Sequence, residues 1–317
     1  MRVPVTAGWQ RGRMEVGDLN AGIIGLNWGR VHIGTLRAAG VSVDAVCARD
    51  PREVERVARE EGIPRATTHP GDLADLDIVV IATPAASHAE LLGGFPAARI
   101  ICEKPLCGLS DKSLRRPASS PPVFVNYAFA FLDTARTFED QLRRVGPVAH
   151  VRLDSRVSLP GTFNVMEWFM ETASHPLSWL RHVFGPASTV GFETSGNALS
   201  LSLRAGGDLR MDVRFQVGGE RGIQHTVSVR AAGGTLSFSG GYAPGDSWRF
   251  SPVLRNAAPV NDGEWLPDDC WIRANHRSVG TMIEVFEGAL SHEAGLARGL
   301  FDPPKAHAVE AALATGT

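Results

Sequence analysis

The sequence predicts an α/β protein in two parts. The first is a parallel, doubly wound sheet covered by helices, and the second an α+β half on a mostly antiparallel, open sheet. Three observations carry this. Apolar strand-like runs alternate with helical patterns through the first third. DIVVIATP (77–84) is almost wholly apolar and rich in β-branched residues, as a strand covered on both faces is. ALSLSLR and LRMDVRF in the second half alternate strictly, the period of a strand with one buried face. The chain has 317 residues, more than one core of ~250–300 residues holds, so two domains are expected.

The elements follow in order. LNAGIIG (19–25) is a first strand and Gly29 to Ala39 its helix. VSVDAVCA (41–48) is a second strand. PREVERVAREEG (51–62) is its helix, with Pro51 suited to a first turn and Gly62 to an end. DIVVIATP, the short helical SHAELLGG and the strand ARIICEKP (98–105) come next, and RRPASSPP (115–122) breaks the pattern. Further strands are expected at 147–157, 188–194, 197–204, 208–217, 223–230 and 234–239. The domains are then an N-terminal extension (1–18), a first domain (19–121) and a second (122–317) with a closing helix near 303–315.

Hydrophobic residues make up 44% and charged residues 21%, enough for a sizeable core. Lys plus Arg number 32 against 34 Asp plus Glu, a net charge of −2. Nucleic acid and anionic membranes call for a basic surface, so neither partner is expected. No run of ~18 apolar residues spans a membrane, and residues 1–18 lack the apolar stretch of a secretory signal. Cys47, Cys102, Cys107 and Cys270 are scattered without CxxC spacing. That predicts free thiols in a reducing cytoplasm, with no disulfide or metal site.

The turn after the first strand reads Gly22-Ile23-Ile24-Gly25-Leu26-Asn27-Trp28-Gly29-Arg30. A glycine turn at a helix N-terminus brings backbone N–H groups and the positive helix end to a pyrophosphate. The dinucleotide fingerprint is GxGxxG. Here Gly25 to Gly29 is one residue short, and Asn27, which tolerates left-handed angles, stands near the middle glycine. A plain strand–turn–helix junction fits the turn equally well. The second strand ends Cys47-Ala48-Arg49-Asp50. An acidic residue there bonds the ribose of NAD, whereas an Arg accommodates the 2′-phosphate of NADP. Ala48 takes the acidic slot with Arg49 beside it, which favours NADP(H) over NAD(H). A one-residue slip would put Asp50 there and reverse the preference.

Two further stretches, Thr83-Pro84-Ala-Ala-Ser-His88 and Cys102-Glu103-Lys104-Pro105-Leu106, resemble the TPxxxH and EKP motifs of the Gfo/Idh/MocA (glucose–fructose oxidoreductase/inositol dehydrogenase) family. VFVNYAFAF (123–131), RVGPVAHVRL (144–153), TASHPLSWLRHVFGP (172–186), TVSVRAAGGTLSF (226–238) and FDPPKAHAVEAALATG (301–316) resemble its later segments. The likeness spans essentially residues 19–316. It implies a Rossmann dinucleotide-binding domain, an NAD(P)-dependent oxidoreductase activity, and a homodimer or homotetramer joined through the C-terminal sheet. The turn residues Gly25, Asn27, Trp28, Gly29 and Arg30 would hold the pyrophosphate. Thr83 and Pro84 would line the cofactor site, His88 would cap a helix or line that site, and Glu103 and Pro105 would shape the nicotinamide pocket. Lys104 would be the acid/base residue, with His175 and Glu171 in the family's His and Asp positions. Lys104, Asn126 and His175 would face the substrate.

The residues also have their own logic. Lys104 ends a strand where parallel sheets place their sites, and a desolvated lysine can exchange a proton with a reacting oxygen. On one helix, positions 171, 175, 178 and 182 share a face, with Phe169, Ala173, Leu177, Leu180 and Phe184 opposite. Pro176 removes a helix N–H and starts a new helix or kinks this one. Several residues depart from the family pattern. Glu171 replaces Asp, Ser178 replaces an Asp, Ala128 stands at an Arg position, and the stretch from Lys104 to Val123 holds about one helical turn, around SDKSLRR. Tyr127, Trp168 and Trp248 suit either a pocket wall or core packing.

The expected function is hydride transfer at a secondary alcohol or ketone of a polar small molecule: a sugar, nucleotide-sugar or cyclitol. Two alternatives stay open. The short turn also resembles imine (C=N) reductases of the same superfamily. The departures would also suit a cofactor-binding regulatory protein with a degraded site.

Overall fold

The computed structural model describes residues 19–106, 120–161, 163–206, 208–243, 248–260 and 270–314. The extension 1–18, Cys107 and the turn expected around SDKSLRR lie outside them. The first sheet contains β1 (Asn20–Ile24), β2 (Ser42–Cys47), β3 (Arg65–Thr67), β4 (Ile78–Ile81), β5 (Arg99–Cys102) and β6 (Val123–Val125). Their order is β3-β2-β1-β4-β5-β6, and every pairing is parallel. Its helices are α1 (Gly29–Ala38), α2 (Pro51–Glu61) and α3 (His88–Gly94).

Local chemistry sets these boundaries. All four residues of β4 have no exposed surface, which explains its apolar composition. Asp50 caps α2 by accepting from Arg52 N at 2.9 Å, Pro51 opens the helix, and Gly62 closes it in the left-handed region. The domain boundary moves relative to the sequence reading. The apolar strand Val123–Val125 pairs with β5, so the first sheet continues past residue 121. β3 is too short to show a period.

The second domain opens with α4 (Asp133–Leu142), β7 (Val148–Ser158), α5 (Val165–Thr172) and α6 (Ser174–Phe184). The strands β8 (Ala187–Ser195), β9 (Ala198–Ala205), β10 (Leu209–Val217), β11 (Gly222–Ala231) and β12 (Gly234–Tyr242) follow. Short strands β13 (Arg249–Phe250), β14 (Leu254–Arg255) and β15 (Ala258–Pro259) edge the sheet. The order is β15-β14-β12-β11-β7-β10-β9-β8, with β13 on β12. Among the described strands, β7 and β10 make its parallel pairing and the rest run antiparallel.

The six alternating stretches are the six long strands β7–β12. Their buried residues, such as Leu153, Leu201, Val213 and Phe238, face the helices. Phe238 packs edge-on against Phe138 of α4 at 5.3 Å and Trp179 of α6 at 5.7 Å. Such pairs add about 0.5–1.5 kcal/mol beyond burial. The other face is polar.

The chain ends in α7 (Cys270–Phe286), α8 (His292–Ala297) and α9 (Pro303–Ala314). The closing helix is where the sequence reading put it. α7 has no counterpart in that reading, because its buried stripe mixes Asn275, Ser278 and Thr281 with apolar residues. Cys47, Cys102 and Cys270 are buried, and the Cys102 and Cys270 thiols donate to Glu103 O at 3.4 Å and Trp248 O at 2.9 Å. Among the described residues, no helix is long and apolar enough to cross a membrane, and no group of three or more His, Cys, Asp or Glu side chains could hold a metal ion.

Candidate active site

The carboxyl ends of β1, β2, β4 and β5 form one rim, and the strand order reverses between β1 and β4, where open parallel sheets bind ligands. Gly25 leaves β1 at φ +90° with its N–H on Cys47 O at 2.9 Å. A Cβ at this position would lie 2.5 Å from Ala82 O, and one at Gly29 would lie 2.8 Å from Ile23 Cγ2. Both glycines are therefore required by close approach. Trp28 precedes α1 without a side-chain cap bond, and no acidic residue stands in the first turn. The first N–H groups of α1 and its positive end are thus available to an anion. These features fit a dinucleotide pyrophosphate despite the shortened spacing.

The remaining cofactor-site expectations divide. Asn27 and Arg49 are exposed and Trp28 is half-buried beside the turn. Asp50 is occupied in capping α2. Arg30 departs from its expected role: its guanidinium pairs with Glu60 at 3.1 Å and Glu61 at 3.4 Å, which commits it to α2. Pro84 is exposed, and Thr83 is half-buried with its hydroxyl accepting from Ser87 at 2.7 Å.

His88 is corrected from a cofactor contact to a brace. It has no exposed surface, and its ring nitrogens lie 3.0 Å from Pro105 O and 2.7 Å from Thr83 O. It therefore ties the loop after β4 to the turn after β5. Burial holds its basicity below the ordinary histidine range despite these carbonyls.

Lys104 stands just past β5. Its ammonium donates to Glu171 Oε2 at 2.9 Å and to Glu171 O at 2.7 Å. An ammonium has three protons, so one remains. The side chains are 15% and 31% exposed, which makes this a partly desolvated pair open on one side.

The one-face reading of positions 171, 175, 178 and 182 is corrected. α5 ends at Thr172 and α6 starts at Ser174, with Pro176 in its first turn. Glu171 and His175 lie on different helices; Glu171 bonds Lys104, and His175, past the join at Ala173, feels the lysine's charge. His175 is buried, edge-on to Trp271 at 4.7 Å and to Tyr127 at 5.9 Å. Burial, reinforced by the charge of Lys104, pushes its pKa well below 6.5, so it is neutral at physiological pH. Ser178 is also buried, bonded to His175 O at 2.7 Å.

Glu103 and Asn126 are corrected as direct contacts. Glu103 is buried and takes His32 Nε2 at 2.8 Å and Asn126 Nδ2 at 2.8 Å on one oxygen. Asn126 also donates to Asn275 at 2.7 Å and accepts from Ser278 at 3.0 Å. Both N–H donors of its amide are spent, and at 1% exposed it presents no surface to a substrate. Tyr127 is core: it is 1% exposed, with its hydroxyl on Glu310 at 2.8 Å. Trp168 is buried under Phe163, and Trp248 stacks on Trp271 at 4.7 Å.

Sequence reasoning missed His32, Trp271, Asn275 and Glu310. Glu310 of α9 accepts from Leu106 N and Tyr127 OH, which pins the turn after Pro105. The signal for His32 was a polar residue at a core position of an otherwise apolar helix.

The model of an oxidoreductase family with an NAD-binding Rossmann fold, GFO_IDH_MocA, matches residues 19–113. Residues 19–113 are therefore similar in sequence to the NAD-binding domain of that family. No curated protein matches the chain in sequence. Solved structures with the fold include GenD2 from gentamicin A biosynthesis in complex with NAD, 21% identical, TM-score 0.70, covering 99% of this chain and 95% of its own. A variant of KijD10, a 3-ketoreductase from Actinomadura kijaniata solved with TDP-benzene and NADP, is 16% identical with TM-score 0.70, covering 92% and 96%. An oxidoreductase from Agrobacterium radiobacter, solved with NAD+, L-tartaric acid and magnesium, is 17% identical with TM-score 0.69, covering 94% and 96%. These likenesses span both domains and are likenesses of fold.

Proposed function

We propose that this Gfo/Idh/MocA protein is an NADP(H)-preferring oxidoreductase acting on a secondary alcohol or ketone of a sugar, nucleotide-sugar or cyclitol. The observation that carries the reading is the pairing of Lys104 with Glu171 past the carboxyl end of β5, with the buried His175 under the lysine's charge. The turn residues Gly25 to Gly29 would hold the pyrophosphate. Bound nicotinamide would supply or accept the hydride. Lys104 does the proton work: it gives its free N–H proton to a carbonyl oxygen in reduction and takes the hydroxyl proton in oxidation. Glu171 orients the ammonium with two bonds. Neutral His175 hydrogen-bonds the same oxygen without setting a second positive charge beside Lys104. The 3-ketoreductase and the gentamicin-pathway protein support a sugar-like substrate.

The NADP preference is supported by Asp50, whose carboxylate is spent on capping α2, while Arg49 beside it is exposed. Fluorescence titration with NADPH and NADH tests it. Tighter NADPH binding, lost in Arg49→Ala, is expected; tighter NADH binding would put the ribose on Asp50. We place a homodimer or homotetramer contact on the polar face of the second sheet, to be checked by mass in solution. The three buried thiols support the cytoplasm as compartment.

A further inference from the structure

A buried polar chain runs beneath Lys104. It starts at His32, wholly buried on α1, the helix that leaves the phosphate turn. His32 Nε2 meets Glu103 Oε1 at 2.8 Å. The same oxygen accepts from Asn126 at 2.8 Å, and Asn126 bonds Asn275 at 2.7 Å and Ser278 at 3.0 Å, both on α7. Asn275 is anchored to Trp271 O at 2.9 Å. The chain therefore joins α1, the ends of β5 and β6, and α7 through one carboxylate.

The tautomer follows from the geometry. His32 Nδ1 is buried with no hydrogen-bond partner among the described residues. A proton there would have no acceptor, so Nε2 carries it and donates to Glu103. Burial pushes the Glu103 carboxyl up, but the bonds from His32 and Asn126 and the charge of Lys104 outweigh it and hold it below the usual carboxylate range. His88 of α3 also feels this charge. Lys104 is faced by Glu103 behind it, Glu171 from α5, and His175 from α6.

We propose that Glu103 and His32 are positioning residues for Lys104: the clamped carboxylate fixes the turn that carries the lysine and sets a permanent negative charge behind its ammonium. This rests on the reading of Lys104 as the proton-transfer group. The network makes the helix at the phosphate turn and the wall of the second domain move with that group.

The test needs neither cofactor nor substrate. Amines are labelled with acetic anhydride from pH 6 to 11, and the extent at Lys104 is read by mass spectrometry of its peptide. Lys305, whose pKa burial lowers to about 8, is the internal reference. Glu103→Gln keeps an oxygen for both donors and removes the charge. Removing a negative charge beside an ammonium favours its neutral form, so Lys104 should be labelled several-fold more than in wild type at a given pH, with Lys305 unmoved. His32→Leu removes a neutral donor and leaves the charge, which then bears more fully on the ammonium, so Lys104 should be labelled less than in wild type at a given pH, and His32→Gln, which restores a donor, should reverse most of that change. Lys104 labelling unchanged in both Glu103→Gln and His32→Leu, or in whichever folds by circular dichroism, overturns the proposal. A wild-type protein with no turnover would overturn the proposed reaction and leave this labelling result intact.

Discussion

Replacing Gly25 by alanine tests the phosphate turn where the backbone leaves least room. The added Cβ would lie 2.5 Å from Ala82 O, 2.7 Å from Ala82 C and 3.0 Å from Thr83 N. All three are backbone atoms of the segment leaving β4, so no rotamer change relieves them. The residue cannot retreat, because its N–H is held by Cys47 O on β2 at 2.9 Å. Alanine at φ +90° costs about 1–2 kcal/mol, and overpacking against backbone about 1–3 kcal/mol more. The expected loss is therefore about 2–5 kcal/mol, felt at the mouth of the pyrophosphate site. The assay pairs urea unfolding with NADPH fluorescence titration. Gly25→Ala should be destabilised and bind NADPH at least about tenfold more weakly. Gly34→Ala on α1 is the control, since nothing lies within 4 Å of its added Cβ; it should keep wild-type affinity and gain up to about 1 kcal/mol. A Gly25→Ala protein with wild-type stability and affinity would refute the reasoning.

Three other outcomes are expected. His225 is wholly buried, and burial lowers its pKa from 6.5 to about 4. The unfolded chain takes up this proton as pH falls through 6.5 and the folded one does not, so stability is full above 6.5 and drops by about 3 kcal/mol on approaching pH 4; urea midpoints between pH 7 and 4.5 check it, and His225→Asn should flatten the slope. Glu171→Gln should lower kcat about tenfold, the worth of a charged hydrogen bond, while leaving the dissociation constant for NADPH unchanged in titration. Arg49→Asp should reverse the cofactor preference in the same titration, because it exchanges a 2′-phosphate partner for a ribose acceptor.

The fold was legible wherever burial imposes a period. β4 announced itself by four fully buried β-branched or aliphatic residues, and β7–β12 by alternation over one packed face. The ends of α2 were legible because Asp50, Pro51 and Gly62 each do a local job. α7 was not, since its buried face carries Asn275 and Ser278, which serve the polar network, and Thr281, which bonds Arg277 O in its own helix. In the site, Lys104, Glu171 and His175 were named from local motifs, and the structure pairs Lys104 with Glu171 and sets His175, on the next helix, under the lysine's charge. Asn126 was read as a substrate contact, Glu103 as shaping the nicotinamide pocket and His88 as a cap or cofactor lining, and all three are buried supports, because spacing shows that a polar residue is near a site but not which way its hydrogen bonds run. His32 and Glu310 act from 71 and 204 residues away from their partners, beyond any local pattern.

Turnover of wild type and Lys104→Met over a panel of cyclitols, free sugars and nucleotide sugars with NADP(H) bears most directly on the central claim. Wild type should turn over at least one member. Lys104→Met should lose about 10²–10⁴ in kcat, the contribution of a positioned acid/base, and keep its NADPH affinity. A variant that retains the full rate would contradict Lys104 as the proton partner, and with it the account of the site.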